Sequence, residues 1–186
     1  MLNPKTTEYS KNIIEEQKAY VLDAYPYIKQ VDEVDPAVNL LADYIFGIDA
    51  HGKDSMGKSH TIQFKHRQVG NNDLVIPAKK FTGKNVADNE LGFIYKGKRY
   101  TFKPTADIYV ETINGTHYTF TASEVMAVQE VCPDLSEWLS GVQEKMFIND
   151  HGDKFPSGEY MAFVSPEKMK KAQEYLYNLK YNNDLH

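Results

Sequence analysis

The chain has 186 residues, of which 41% are hydrophobic and 25% charged, and its formal net charge is −5. This is the composition of a globular protein, and the length predicts a single domain over residues 1–186. A lone cysteine, Cys132, excludes an intrachain disulfide and a zinc site built from several cysteines. No apolar run reaches the length of a membrane span and no signal-like segment opens the chain, so a cytoplasmic protein without membrane partners is expected.

The charge is distributed unevenly along the chain. Residues 53–103 contain eleven Lys or Arg and four Asp or Glu, a net of +7, and the remaining residues carry a net of −12. A basic stretch in an acidic chain suggests one positive face that can steer a polyanion. A solvated, lysine-rich surface is the alternative interpretation, and charge alone does not separate the two.

A helix is predicted first, over residues 9–25, because apolar side chains recur there at helical spacing. An acidic connector is predicted at residues 31–36. Residues 43–50 and 60–67 favour two β-strands, joined by a polar, glycine-punctuated hairpin loop at residues 51–58.

Strands and then helices are predicted in the rest of the chain. Asn114-Gly115, between two β-rich runs, is the strongest short hairpin signal. Residues 68–90 are expected to be irregular; the predicted strands are 91–95, 99–102, 107–112, 117–121 and 160–164, and the predicted helices 123–131, 133–147 and 165–180. This order of elements predicts a mixed α/β (α+β) fold.

Polar side chains share one face of the strand predicted at residues 60–67. Alternate residues of a strand point the same way, so Ile62 and Phe64 are expected to face a core. The opposite face carries Thr61, Gln63, Lys65 and Arg67. Folding the hairpin brings Asp49, at the end of the preceding strand, near this face, which is either functional or solvent-facing.

The spacing of Asp49, Gln63 and Lys65 resembles the core motif of the PD-(D/E)XK nuclease superfamily. In that motif an acid ends one strand, and an acid or amide, one further residue and a lysine follow on the next. The first helix, the strands around 107–121 and the helix after them also resemble the common core. The resemblance implies a restriction-endonuclease-like mixed β-sheet flanked by helices. The chain departs from the pattern at Ile48, where the motif has proline, and at Gln63, which is neither Glu nor Asp.

The resemblance implies a Mg²⁺-dependent endonuclease that hydrolyses phosphodiester bonds of DNA, with Mn²⁺ as a substitute ion. Asp49 and the Gln63 amide oxygen would bind the ion, which prefers hard oxygen ligands. Lys65 would orient the attacking water or stabilise developing negative charge. A further carboxylate from the first helix is implied, and Glu16 is assigned to it, with Glu15 as the alternative.

Basic side chains are predicted to hold the DNA backbone. Arg67, on the face of Lys65, could contact a phosphate as a bidentate donor. Looser, salt-sensitive contacts are assigned to Lys79, Lys80, Lys96, Lys98 and Arg99. The sequence leaves open whether a homodimer forms to cut both strands.

Each site residue also has a purely structural interpretation. Asp49 could begin a turn, Gln63 and Lys65 could face solvent from an edge strand, and Glu16 could pair with a lysine. Two other functions therefore stay open. One is a nuclease-like fold that binds nucleic acid or a protein without cutting, which Gln63 and the acidic net charge favour. The other is an accessory or inhibitor protein without a metal site.

Overall fold

The structure, a computed structural model, describes residues 4–34, 48–67, 72–80 and 92–183. Three helices occupy these residues: α1 (Pro4–Ala24), α2 (Ala122–Val131) and α3 (Pro166–Asn183). Ten strands accompany them: β1 (Ile28–Glu33), β2 (Ala50–Asp54), β3 (Ser59–Arg67), β4 (Leu74–Lys80), β5 (Phe93–Tyr95), β6 (Lys98–Phe102), β7 (Ile108–Ile113), β8 (Thr116–Thr121), β9 (Gly141–Ile148) and β10 (Lys154–Val164). The mixed α+β fold class is confirmed.

The chain groups into two compact units. The first contains Met1–Asn71 and Thr105–Ala122, and the second contains Asn72–Pro104 and Ser123–His186. Among the described residues, no helix is long and apolar enough to cross a membrane.

The first unit is built on a five-stranded mixed sheet with the order β1-β2-β3-β7-β8. Neighbouring strands are antiparallel except β3 and β7, which run parallel with Ile62 opposite Ile108. A parallel pair needs a long connection, and here the connection contains β4, β5 and β6.

Helix α1 packs on one face of this sheet. Its buried positions, Ile13, Gln17 and Val21, are four residues apart and so lie on one side of the helix. Val21 belongs to a core cluster whose other members are Ile28, Ala50, Ile62, Ile108 and Val110. Burial of a side chain of this size stabilises a fold by roughly 1.5–3 kcal/mol, so the cluster fixes the helix against the sheet.

The second unit is built on an antiparallel sheet with the order β5-β6-β4-β10-β9. Aromatic rings form part of its core, since Phe93 stacks on Phe102 with ring centroids 4.4 Å apart. The buried Gln129 side chain of α2 accepts the backbone N–H of Phe102 at 3.1 Å, which ties the helix to β6.

Several predicted elements are confirmed. The helix predicted at residues 9–25 is α1, the Asn114-Gly115 turn joins β7 to β8, and α2 and α3 lie where helices are predicted. Asn114 and Gly115 have φ values of 50° and 79°, as a hairpin turn of this kind requires.

Other predictions of local structure are wrong. Residues 28–33 form β1, which occupies part of the connector predicted at residues 31–36. Residues 51–54 belong to β2, although a loop was predicted at residues 51–58. Residues 141–148 form β9, in place of the end of a helix predicted over 133–147. The predicted irregular stretch contains β4. Most of the strand predicted at 43–50 lies outside the described residues, and Asp49 precedes β2 where it was expected to end a strand.

Candidate functional site

Asp49 lies immediately before β2 and is tied to the middle of β3. Its backbone N–H donates to the carbonyl oxygen of Ile62 at 2.9 Å. Its carboxylate Oδ2 accepts the backbone N–H of Phe64 at 2.7 Å. The β2–β3 pairing ends at Ala50 and Ile62. Beyond that pair, the Asp49 carboxylate accepts the hydrogen bond of a β3 backbone N–H. These two bonds, to the residues on either side of Gln63, hold Asp49 beside that residue.

Gln63 carries a buried oxygen whose hydrogen-bonding capacity is unused. Its Oε1 is inaccessible to solvent, and no described group donates a hydrogen bond to it. A buried acceptor without a donor costs about 1–3 kcal/mol. Such an atom in a folded protein points to strain, to a catalytic role, or to a water or ion that it binds.

The face that carries Gln63 points away from α1. Ile62, Ile108 and Val110 pack with Val21 of the helix, so the side chains that alternate with them on β3 and β7 project from the opposite face. Those side chains include Gln63, Lys65, Tyr109 and Glu111.

Lys65, Arg67 and Glu111 form a charged cluster on this face. The parallel register places Lys65 opposite Glu111. Lys65 Nζ lies 3.8 Å from Glu111 Oε1, and the Arg67 guanidinium binds Oε2. The Glu111 side chain is 1% exposed, whereas the side chains of Lys65 and Arg67 are each 25% exposed. A buried carboxylate is therefore compensated by two cations that still reach solvent.

The surroundings of Lys65 disfavour its charged form. Burial lowers the pKa of the Lys65 ammonium group; Glu111 opposes that effect, Arg67 lowers the pKa further, and Asp49 raises it to a lesser degree. The net direction is downward from the ordinary value. Lys65 Nζ also lies 5.6 Å from the centre of the Tyr109 ring. A lysine in this setting releases its proton more readily than one in water.

Gln17 of α1 connects the two strands that carry the cluster. Its Nε2 donates to the backbone oxygen of Lys65 at 2.9 Å and to Thr112 Oγ1 at 2.8 Å. Thr112 Oγ1 in turn lies 2.8 Å from His117 Nδ1. Gln17 is 1% exposed, so these bonds join β3 to β7 beside Lys65 and Glu111 without competition from water.

The structure does not bring Glu16 to the site, which corrects the sequence-based assignment. Glu16 Oε2 lies 3.8 Å from His117 Nε2, and the Glu16 side chain is 64% exposed. His117 lies on the side of the sheet that α1 covers, opposite to the face of Lys65. The alternative, Glu15, pairs with Lys18 at 2.8 Å on the helix surface.

The predicted DNA-contacting residues separate into two groups. Arg67 belongs to the first unit and binds Glu111, so its guanidinium is engaged within the protein. The others belong to the second unit, at the end of β4, in the β5–β6 turn and on β6: Lys79, Lys80, Lys96, Lys98 and Arg99. Strands β4 and β6 are neighbours, and Lys80 pairs with Tyr100 beside Arg99.

Glu111 is the site residue that sequence reasoning missed. It lies between Val110 and Thr112 in a β-rich run. A carboxylate within a mostly apolar strand was the one sequence signal that could have marked it as a candidate. Its pairing with Lys65 depends on the parallel register of β3 and β7, which the sequence does not specify.

The described residues offer few ligands for a divalent cation. In the part of the chain that the structure describes, no group of three or more His, Cys, Asp or Glu side chains could hold a metal ion. Mg²⁺ needs fewer protein ligands, because it commonly keeps several waters and binds one or two carboxylates. The Asp49 carboxylate and the Gln63 amide oxygen are hard oxygen donors of the type that Mg²⁺ prefers, and they belong to residues that the bonds to Ile62 and Phe64 hold side by side.

No protein-family model, no curated protein and no solved structure matches this chain.

Proposed function

We propose that the chain is a Mg²⁺-dependent endonuclease that hydrolyses phosphodiester bonds of DNA. The observation that carries this proposal is the buried Gln63 Oε1, which lacks a donor among the described residues and lies between the two residues that bind Asp49. The unused amide oxygen and the carboxylate are ligands of the type that Mg²⁺ accepts, and Lys65 beside them supplies a hydrogen-bond donor, which supports a role in metal-assisted hydrolysis.

Each residue has a distinct role in the proposal. Asp49 and Gln63 would hold Mg²⁺, and Mn²⁺ would substitute for it. The chemistry that such an ion supplies is polarisation of the phosphate and a lower pKa of its bound water. Lys65 would bind that water or a phosphate oxygen through Nζ and stabilise the developing negative charge.

Glu111 and Arg67 support the site without contacting the substrate in this proposal. Glu111 holds the Lys65 ammonium group at 3.8 Å, and Arg67 neutralises the second carboxylate oxygen. The carboxylate that the family resemblance places on the first helix is absent from the group, so the site relies on Asp49 as its anionic ligand.

The alternative function is a nuclease-like fold that binds nucleic acid or a protein partner without cutting. Two observations favour it: residue 63 is an amide, and the described residues hold no cluster of three or more metal-binding side chains. Salt-sensitive DNA binding without cleavage would support this alternative.

The test is incubation of supercoiled plasmid and of circular single-stranded DNA with Mg²⁺ or Mn²⁺. Wild-type protein should nick or degrade the DNA, and Asp49→Asn and Lys65→Met should each lower the rate at least about 100-fold. Asparagine keeps an acceptor for the Phe64 N–H, so Asp49→Asn changes the charge and retains that structural bond.

Glu16→Gln is the matched control, because it removes a carboxylate from α1 that lies on the other side of the sheet. It should cut at the wild-type rate. Cleavage that survives both Asp49→Asn and Lys65→Met would reject the site, and absence of cleavage by the wild type with either ion would reject the proposed activity.

A further inference from the structure

An apolar cavity of about 630 Å³ lies within the second unit. The end of α2, the segment after it and α3 contribute its walls, and the apolar and aromatic lining residues are Val128, Val131, Leu135, Trp138, Tyr175 and Leu176. Small-molecule sites typically measure about 300–1,000 Å³ and are lined mainly by such side chains. The cavity therefore has the size and surface of a ligand site.

Part of the apolar lining is exposed to solvent. Val131 is 49% exposed and Tyr175 is 55% exposed, and both line the cavity. Exposed apolar surface of this kind is costly in water, and a ligand with an apolar body would cover it.

Lys168 provides a cationic group at the cavity. Its Nζ donates to the backbone oxygen of Glu137, and both residues belong to the lining. An ammonium group has three donors, so this bond leaves two for a ligand. No described carboxylate forms an ion pair with Lys168, whereas the neighbouring Lys171 pairs with Glu167 at 2.8 Å.

We propose that this cavity binds an amphiphile with an apolar tail and a single anionic head group, of the chemical class of a fatty-acid carboxylate. The tail would lie against the apolar wall, and the head group would accept hydrogen bonds from the Lys168 ammonium. The cationic group at an apolar cavity favours an anion over an uncharged or cationic head group of the same size. This site is independent of the proposed nuclease site.

The chain provides its own optical probe for the cavity. Trp138 is the only tryptophan, it lines the cavity, and its Nε1 donates to the backbone oxygen of Lys168 at 3.2 Å. Titration of the full chain at pH 8 with dodecanoate, below its micelle concentration, should change the tryptophan fluorescence saturably. Dodecanol and dodecyltrimethylammonium, with the same tail, should bind at least about tenfold more weakly. Calorimetry gives a second readout of each affinity.

Two variants test the assigned position. Lys168→Gln should weaken dodecanoate binding about tenfold, and Lys170→Gln, on an exposed residue of α3 outside the lining, should leave it unchanged. Ala172→Phe should weaken binding, because Ala172 lines the cavity and a larger side chain occupies part of it; its unfolding curve establishes that it folds.

Three results would overturn the proposal. They are the absence of saturable binding of dodecanoate by either readout, equal affinity for the cationic or uncharged amphiphile, and an unchanged dodecanoate affinity in Lys168→Gln.

Discussion

Two side chains at the candidate site, Glu111 and Lys65, are expected to have opposite effects on the free energy of unfolding. Glu111 is almost fully buried and compensates two cations, whereas Lys65 is held in surroundings that disfavour its charge. The carboxylate is therefore expected to stabilise the fold and the lysine to destabilise it. Retention of a destabilising lysine is typical of residues that serve a function.

Replacement of Glu111 by glutamine should lower the free energy of unfolding by about 3–5 kcal/mol, because it removes the buried carboxylate that the partly buried cations of Lys65 and Arg67 share. Urea unfolding followed by circular dichroism measures this change. Glu130→Gln, at an exposed position of α2, is the control and should lie within about 0.5 kcal/mol of wild type. A loss of less than about 1 kcal/mol in Glu111→Gln would contradict the ion-pair description.

Lys65→Met should raise the free energy of unfolding at neutral pH, since it removes a charge that burial disfavours. The pKa of Lys65 is lowered in the folded state, so the penalty is complete below that pKa. As the pH rises through this lowered pKa, the native protein loses the Lys65 proton while the unfolded chain keeps it. The free energy of unfolding of the wild type therefore increases with pH until lysine's ordinary pKa of about 10.4 is reached.

The difference between Lys65→Met and wild type should therefore shrink between neutral pH and about pH 10. Denaturant midpoints at several pH values measure it, with the exposed Lys53→Met as the control. A Lys65→Met variant that is less stable than wild type at pH 7 would show that the lysine contributes to stability.

The sequence predicted Asp49, Gln63 and Lys65 as candidate site residues but not the carboxylate that lies beside Lys65. Asp49, Gln63 and Lys65 follow from strand alternation across one hairpin, a local property. Glu111 joins them through a parallel pairing of distant strands, which no local pattern encodes. Glu16 was assigned from the family resemblance, which does not indicate the face of the sheet that α1 covers, and the structure places it near His117 on the opposite side from Lys65.

Among the secondary-structure elements, α1 contacts β3 and β7 on the face of the sheet opposite to the candidate site. Gln17 donates two hydrogen bonds, one to each strand, at the position of Lys65 and Thr112. Because β3 and β7 are joined by a long connection, such a bridge contributes to holding their register.

Gln17→Met should lower the free energy of unfolding by about 1–3 kcal/mol, since it leaves buried acceptors without their donor. Amide hydrogen exchange of β3 and β7 should also become faster. Gln143→Met, at an exposed position of β9, is the control and should change neither quantity. Unchanged exchange in Gln17→Met would show that the bridge does not hold the two strands.

Local preferences predicted some elements and failed for others. The Asn114-Gly115 turn fixes the β7–β8 hairpin because few other residues adopt the required φ values. Residues 141–148 include Gln143, Glu144 and Lys145, which are good helix formers, and a helix was predicted there. The structure pairs this segment with β10, so the hydrogen bonds of the sheet outweigh an intrinsic preference of a few tenths of a kcal/mol per residue.

At the scale of the whole molecule, the distribution of charge is the feature that bears on a polyanionic substrate. The chain is acidic overall, yet residues 53–103 carry a net of +7. Lys98 and Arg99 are exposed on β6, and Lys96 is exposed in the turn before it. These exposed side chains are the ones that the proposed function would place against a phosphate backbone.

Substitution of Lys96, Lys98 and Arg99 together by glutamine should weaken DNA binding and reduce the slope of log K against log salt by roughly one for each lost phosphate contact. Fluorescence anisotropy with a labelled oligonucleotide between 50 and 200 mM salt, about the range in which such effects are large, measures both. The control substitutes Lys170 and Lys180 on α3. Equal effects in both variants would show that the basic segment has no special role.

The most direct test of the central claim is a titration of the protein with Mn²⁺, with the free ion followed by electron paramagnetic resonance. Wild type should bind Mn²⁺, and Asp49→Asn should lose this binding. Gln63→Glu should bind the ion more tightly because a carboxylate replaces a neutral amide oxygen. Glu16→Gln should match wild type. The proposed metal site would be rejected if wild type bound no Mn²⁺, or if Asp49→Asn bound it as tightly as wild type does.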